Sequence, residues 1–338
     1  MKGWKEAQKY PPLKLEWKVL RSFEAHTGVE ERICEESMSG KVDKVCAEDV
    51  QHEGEVTSLC YRDNTLYSGG ADGKVKIWDV DLVQKREITA HEALIWAMCL
   101  DSRGRLFTSS TDGLVKIFEN PRSVEFSQEL IKSFDELLCV IAVGEDIYTG
   151  DDKGVVTWFV DRKIKFMYNL VEEVKSLAVE GNLIYTIRDT DLVITEKTDL
   201  KTGKFATKRT LPGKSPMIIC GLETNGTKPW LVFCTRDGKG VTVIDNFRRP
   251  QTPSAPWTEL WTKENAHDMI INCLYGNATE FYSGGWDGKV KKWVEVDKFP
   301  KIAGEADIGC CVNAITDGPD GSVFAAGADG KIRKIIFE

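Results

Sequence analysis

The chain has 338 residues, 42% of them hydrophobic, with a net charge of −8 and ten cysteines. This acidic balance lacks the basic footprint on which non-specific nucleic-acid binding rests, and no apolar stretch approaches the length of a membrane-spanning helix. No cysteine stands in a CxxC pair. Most fall in apolar stretches (Cys60, Cys99, Cys139, Cys220, Cys234, Cys273), where a free thiol behaves as a small hydrophobe, and Cys310-Cys311 are vicinal.

The first residues, MKGWKEAQKYPPLK, have no apolar core of a secretory leader, so reduced thiols and a place in the cytoplasm or nucleus are expected. Pro11-Pro12 marks a loop, residues 13–23 alternate in part, and residues 30–38 are acidic without period. We read residues 1–41 as an extension on or beside a single domain formed by residues 42–338. Within that domain, residues 67–80 spell a hairpin, YSGGADGKVKIWDV. Asp72-Gly73 suits a two-residue type I′ turn, and the alternation of Val75 and Ile77 with lysines suits a half-buried strand. Related segments begin at Phe107, Tyr148, Tyr185, Phe233, Tyr282 and Phe324, which makes seven copies. The turn glycines Gly73, Gly113 and Gly154 lie 40 and 41 residues apart, and Gly288 and Gly330 lie 42 apart. A period of about 40–45 residues accommodates four short antiparallel strands per repeat.

On these repeats the chain resembles the WD-repeat family, whose fold is an all-β, seven-bladed β-propeller. Trp78-Asp79 carries the dipeptide that names the family, and the other copies depart from it. The resemblance implies a buried hydrogen-bonded network in each well-kept blade. In blade one it would join His52, Ser68, Asp72 and Trp78, and in blade six His267, Ser283, Asp287 and Trp293. Blade two has His91, Thr108 and Asp112, with Phe118 in the place of the tryptophan. The blades are expected at 54–90, 91–133, 134–171, 172–213, 214–262, 263–305 and 306–338. The last copy ends one strand short, so an N-terminal strand should pair with the C-terminal blade and close the ring. Residues 42–50 are the first choice for it and residues 17–23 the second.

No nucleophile–base–orienter set, HExxH, GxSxG or phosphate-binding glycine loop is present. The Asp-Gly pairs lack the glutamate that would complete a calcium loop. The reading is therefore a protein that is not an enzyme, needs no cofactor or metal, and works through its surfaces. In the family, the link into each innermost strand and the residue before the turn aspartate reach the top face. At those positions stand Glu53, Glu55, Glu92, Leu94, Glu136, Glu173, Asp268 and Ile270 in the links, and Arg236 and Trp286 at the turns. An acidic rim favours a basic ligand, and an exposed tryptophan is a common anchor. The expected partner is another protein, held by a basic peptide segment within a larger assembly. The plainer alternatives are a solvated rim and a tryptophan packed on a neighbouring loop. A different function class is phosphoinositide binding, since Phe247-Arg248-Arg249-Pro250 resembles the Phe-Arg-Arg-Gly motif of one propeller family, with proline replacing the glycine. A ubiquitin-ligase substrate receptor is a further one, although the usual WDxR signature is missing after Trp78.

Overall fold

Short runs of β-branched and aromatic residues, separated by Asp-Gly or Asn-containing turns, cannot bury one face as single hairpins and must stack to make a core. The computed structural model describes residues 38–123, 125–133, 135–199, 201–222, 229–246, 257–296 and 301–338. They form five four-stranded antiparallel sheets and one eight-stranded sheet in which the last two blades are joined through an N-terminal strand, seven blades of a β-propeller in all. The first sheet runs Val56–Arg62, Thr65–Gly70, Lys74–Trp78 and Gln84–Thr89. The first strands of neighbouring sheets lie against one another as the inner ring. Blade four, which has no Asp-Gly, still closes its hairpin, with Arg188 paired to Asp191 across a two-residue turn.

Closure occurs through an N-terminal strand, Met38–Val45. It pairs antiparallel with Ile332–Phe337 of the last blade, from Gly40 opposite Phe337 to Val45 opposite Arg333. It also meets blade six in parallel, Met38 with Gly304 and Ser39 with Glu305. The strand therefore lies four to five residues earlier than the expected 42–50. The reason is local. Cys46 makes the last ladder bond, its N–H donating to the Ile332 carbonyl at 3.0 Å, and Val50 then folds back onto Ala47 at 3.3 Å. The acidic run Ala47-Glu48-Asp49 suits a turn better than a strand. Gly40 sits where blades six and seven close on the strand, and a Cβ there would come within 2.7 Å of Ala306 and Phe337. The alternative segment 17–23 lies outside the described residues.

The repeat hairpin differs from the expected two-residue turn. Residues 71–73 form a three-residue loop in which the Gly73 N–H donates to the Gly70 carbonyl at 3.1 Å, and Gly73 alone is left-handed, at φ +69. This is a type I turn followed by a left-handed glycine. Asp72 keeps an ordinary φ because its carboxylate accepts the Lys74 N–H at 3.1 Å. Left-handed pairs occur at the opposite end of the blades instead, at Asp63-Asn64 and Asp161-Arg162. Glycine at the hairpin has a second cause. A Cβ on Gly73 would approach the His91 carbonyl to 2.3 Å, and one on Gly330 the His52 carbonyl to 2.5 Å. Each hairpin thus presses on the link into the next blade.

The core is divided into clusters that straddle neighbouring blades. Trp78, Leu66 and Val56 of blade one pack with Phe324 and Ile332 of blade seven, and Tyr67, Val75 and Ile77 pack with Ile95, Leu106 and Phe118 of blade two. The same arrangement continues around the ring to Phe281 and Trp293, which pack with Val241 and Trp261. Burying each such side chain contributes about 1.5–3 kcal/mol, so stability resides between blades as much as within them.

Candidate interaction surface

Three histidines organise the inbound links. In blade one His52 Nδ1 lies 2.9 and 3.0 Å from the Asp72 carboxylate oxygens and Nε2 lies 2.7 Å from Ser68 Oγ. Trp78 Nε1–H donates to the same Ser68 Oγ at 2.9 Å. Blade six repeats this, with His267 3.0 Å from Asp287, 2.8 Å from Ser283 Oγ, and Trp293 donating to Ser283 at 2.9 Å. In blade two His91 contacts Asp112 at 2.9 Å and Thr108 Oγ1 at 2.7 Å, and buried Phe118 offers no donor. Burial pushes His91 and His267 below the usual histidine range, although Asp112 and Asp287 pull the other way. Burial alone would raise the carboxyls of Asp72, Asp112 and Asp287. Hydrogen bonds from the histidines and from main-chain amides outweigh it and hold all three below their usual range. In blades two and six a neutral imidazole thus donates from Nδ1 to the carboxylate and accepts at Nε2 from the hydroxyl.

These networks fix which segments share a face. The residue two before the turn glycine donates its N–H to the carbonyl just ahead of the innermost strand. The pairs are Ala71 to Glu55 (2.9 Å), Thr111 to Leu94 (3.1 Å), Asp152 to Glu136 (3.0 Å) and Trp286 to Ile270 (2.8 Å). Links and turns therefore lie side by side at one end of the blades.

The rim residues behave differently from one another. Glu92 and Glu136 are exposed and have no ion pair among the described residues. Glu53 and Asp268 are exposed, with Lys74 at 4.0 Å and Lys289 at 3.9 Å. Glu173 is paired with Lys175 at 2.6 Å, and Arg236 with Asp191 at 2.9 Å. Glu55 is half-buried and accepts from Asn313 Nδ2 at 2.9 Å. Asn313 in turn accepts from Asn272 at 2.8 Å, so one chain of hydrogen bonds crosses the inner ring from blade six through seven to one. Leu94 and Ile270 are half-buried, while Trp286 is 52% exposed. Arg248 and Arg249, with Phe247, lie outside the described residues.

Two apolar groups on this face escape the repeat pattern. Met269, beside Ile270, is 47% exposed. Trp96 is 40% exposed on the innermost strand Ile95–Leu100, one residue past Ile95, whose carbonyl accepts from Thr57 of blade one. It stands on an innermost strand but outside the core clusters. Its signal is an apolar bulk at the position where blades six and seven carry Asn272 and Asn313. No group of three or more metal-ligating side chains occurs among the described residues, and burial pushes the Cys60 and Cys139 thiols up to about 12.

Residues 44–79 and 82–119 match the family model of the WD domain, G-beta repeat. The chain is 24% identical over 309 residues to a Lotus japonicus protein named "Putative E3 ubiquitin-protein ligase LIN-1", and 24% identical over 300 residues to one from Medicago truncatula named "Putative E3 ubiquitin-protein ligase LIN". Each match takes in 84% of this chain and 19% of the relative, so the chain spans about a fifth of their length. Among solved structures, the WD40 beta propeller domain of Doa1 superposes with a TM-score of 0.67 at 14% identity, over 88% of this chain and 97% of that one. That likeness is one of fold.

Proposed function

We propose that this β-propeller is a non-catalytic interaction module that holds a basic peptide segment of a partner protein on the face where links and hairpins meet. One observation carries the reading. On blade six, Trp286 and Met269 stand out to solvent beside Asp268, whose side chain is 84% exposed and only loosely met by Lys289. An apolar anchor next to a weakly compensated carboxylate suits a lysine or arginine flanked by an apolar residue. Glu92 and Glu136 extend the same charge along the rim, and Trp96 offers an exposed ring on which a cation can stack.

Fluorescence polarisation with a panel of labelled peptides containing Lys or Arg beside Leu or Phe tests this. Trp286→Ala and Asp268→Lys should each weaken the best peptide about tenfold or more, and raised salt should weaken wild-type binding. Unchanged affinity in both variants would move the site elsewhere. The ligase-named relatives favour one role for such a module, recognition of proteins destined for ubiquitin transfer. That role predicts that a protein bound through Trp286 becomes ubiquitylated in extract supplied with ATP, and that Trp286→Ala abolishes the modification.

A further inference from the structure

The opposite end of the blades carries a cleft of about 550 Å³ between blades one and two. Its walls come from the Asn64-Thr65 turn, from Asp79 and Lys85 around the third-to-fourth strand turn, and from Arg86 and Arg122, with the buried Ile77 and Trp78 behind them. The two arginines are clamped across the blade boundary. Arg86 of blade one donates from Nη1 to the main-chain carbonyl of Arg122 at 2.9 Å. Arg122 of blade two donates from Nη2 to the main-chain carbonyl of Asp63 at 3.1 Å and also reaches the Tyr67 hydroxyl. Both guanidiniums are thus held by neutral partners, and neither has a carboxylate partner among the described residues.

The one carboxylate in the lining is already committed. Asp79 Oδ1 accepts the N–H groups of Asp81 (3.0 Å) and Val83 (2.9 Å), and its Oδ2 pairs with Lys85 at 2.8 Å. Lys85, Arg86 and Arg122 against Asp79 leave two positive charges uncompensated, in a chain whose net charge is −8. A guanidinium presents five donors, and the main-chain carbonyls take only part of each set. A phosphate monoester, with about −1.5 to −2 charges at pH 7 and three acceptor oxygens, matches both the charge and the forked donors, whereas a single carboxylate leaves one cation unmatched. The cleft is larger than a bare phosphate and open to solvent. That shape fits a group carried on an extended chain.

We propose that this cleft binds a phosphorylated side chain of a partner peptide, with Arg86 and Arg122 as its clamps. This site is independent of the face assigned to basic peptides. The test follows the Arg86 and Arg122 Nε–Hε resonances of the full chain by NMR. Four probes are titrated: an amidated pentapeptide of alanines around a central phosphoserine, its serine and glutamate counterparts, and inorganic phosphate. The phosphopeptide should shift both resonances saturably and bind at least tenfold more tightly than the other three. Arg86→Gln and Arg122→Gln should each lose tenfold or more in phosphopeptide affinity while keeping the wild-type circular dichroism spectrum at the temperature of the titration. Absence of a saturable shift in the wild-type protein would overturn the proposal, whatever the variants do. Equal binding of the glutamate peptide would overturn the phosphate assignment, and equal binding of inorganic phosphate would overturn the peptide as its source.

Discussion

Blade six and the junction of blades four and five solve the same problem with different residues. Both must satisfy a buried tryptophan indole next to a buried polar hub. In blade six the hub is Ser283, which receives Trp293 Nε1–H and contacts His267 within one repeat. Between blades four and five the hub is Asn246, 2% exposed. Its Oδ1 accepts from Tyr185 Oη and from Trp257 Nε1, both at 2.9 Å, and its Nδ2 donates to Glu180 at 2.8 Å. The first network is contained in one blade and recurs. The second ties two blades together, one of which, blade four, has lost its Asp-Gly hairpin. The repeat is therefore not indispensable to the fold. What is indispensable is that every buried polar group has a partner, and a long-range hub can supply one where the local motif has decayed.

The largest loss of stability is expected from emptying the second hub. Asn246→Leu removes the acceptor shared by the Tyr185 hydroxyl and the Trp257 indole and a donor to Glu180. Three buried hydrogen bonds at about 0.5–1.5 kcal/mol each make the loss roughly 2–4 kcal/mol, read by urea unfolding. A loss below about 1 kcal/mol would show that water or a shifted side chain replaces the hub. Next in size is Ser283→Ala, which removes two buried hydrogen bonds, those to His267 Nε2 and Trp293 Nε1, and should cost roughly 1–3 kcal/mol. Thr108→Val in blade two removes a hydroxyl that contacts His91 alone, since the Phe118 ring has no N–H to give it, and should cost about half as much. Equal costs would mean that the tryptophan adds nothing to the network.

The two hubs also explain what the amino-acid sequence made legible. Seven blades, the closing strand's pairing partner and the spacing of His, Ser or Thr, Asp and Trp all follow from a repeat of fixed period, because each copy confirms the others. The start of the closing strand did not follow. Residues 42–50 and 38–45 overlap, and only the fit of Gly40 between two blades selects the earlier register. Asn246 carried no signal at all, since its partners Tyr185 and Glu180 are 61 and 66 residues away. The Arg86–Arg122 cleft was hidden for a similar reason. Its halves come from different repeats, and single arginines at turns look like solvated surface. Trp96 and Met269 do not stand out in the repeat, because one sits in an ordinary strand pattern and the other between two rim positions.

Acid should separate the hubs without any substitution. His91 and His267 are held below the histidine range by burial. A histidine depressed in the folded state takes up its proton more readily in the unfolded chain, so its contribution is complete above about 6.5 and is lost as pH falls below that. Asp112 and Asp287, depressed below 3.8, add a second loss at lower pH, below about 4. Asn246 does not titrate. Hydrogen exchange followed from pH 7 to pH 5 should therefore show blades two and six loosening before blades four and five. Uniform loosening of all blades would mean that the ring responds as a single cooperative unit.

The smallest expected effect belongs to a third device, at the junction of blades three and four. Lys197 is 6% exposed there. Its Nζ donates to Tyr148 Oη at 3.0 Å and lies 4.5 Å from the centre of the Trp158 ring and 5.3 Å from that of Tyr148. Burial lowers the lysine from its usual range, and burial raises Tyr148. Here a charge is buried against rings rather than against a carboxylate, so desolvation and the cation–π attraction oppose each other. Lys197→Met keeps the stem and removes both terms, and should change stability at pH 7 by no more than about 1 kcal/mol in either direction. The sign appears in alkali. A lysine depressed in the folded state burdens the fold at neutral pH, and that burden is relieved as pH rises toward 10.5. Wild type should therefore gain stability relative to Lys197→Met between pH 8 and pH 10.5 in urea titrations. A loss of more than about 2 kcal/mol in the variant at pH 7 would instead make the ring-bound ammonium a true counterpart of the serine and asparagine hubs.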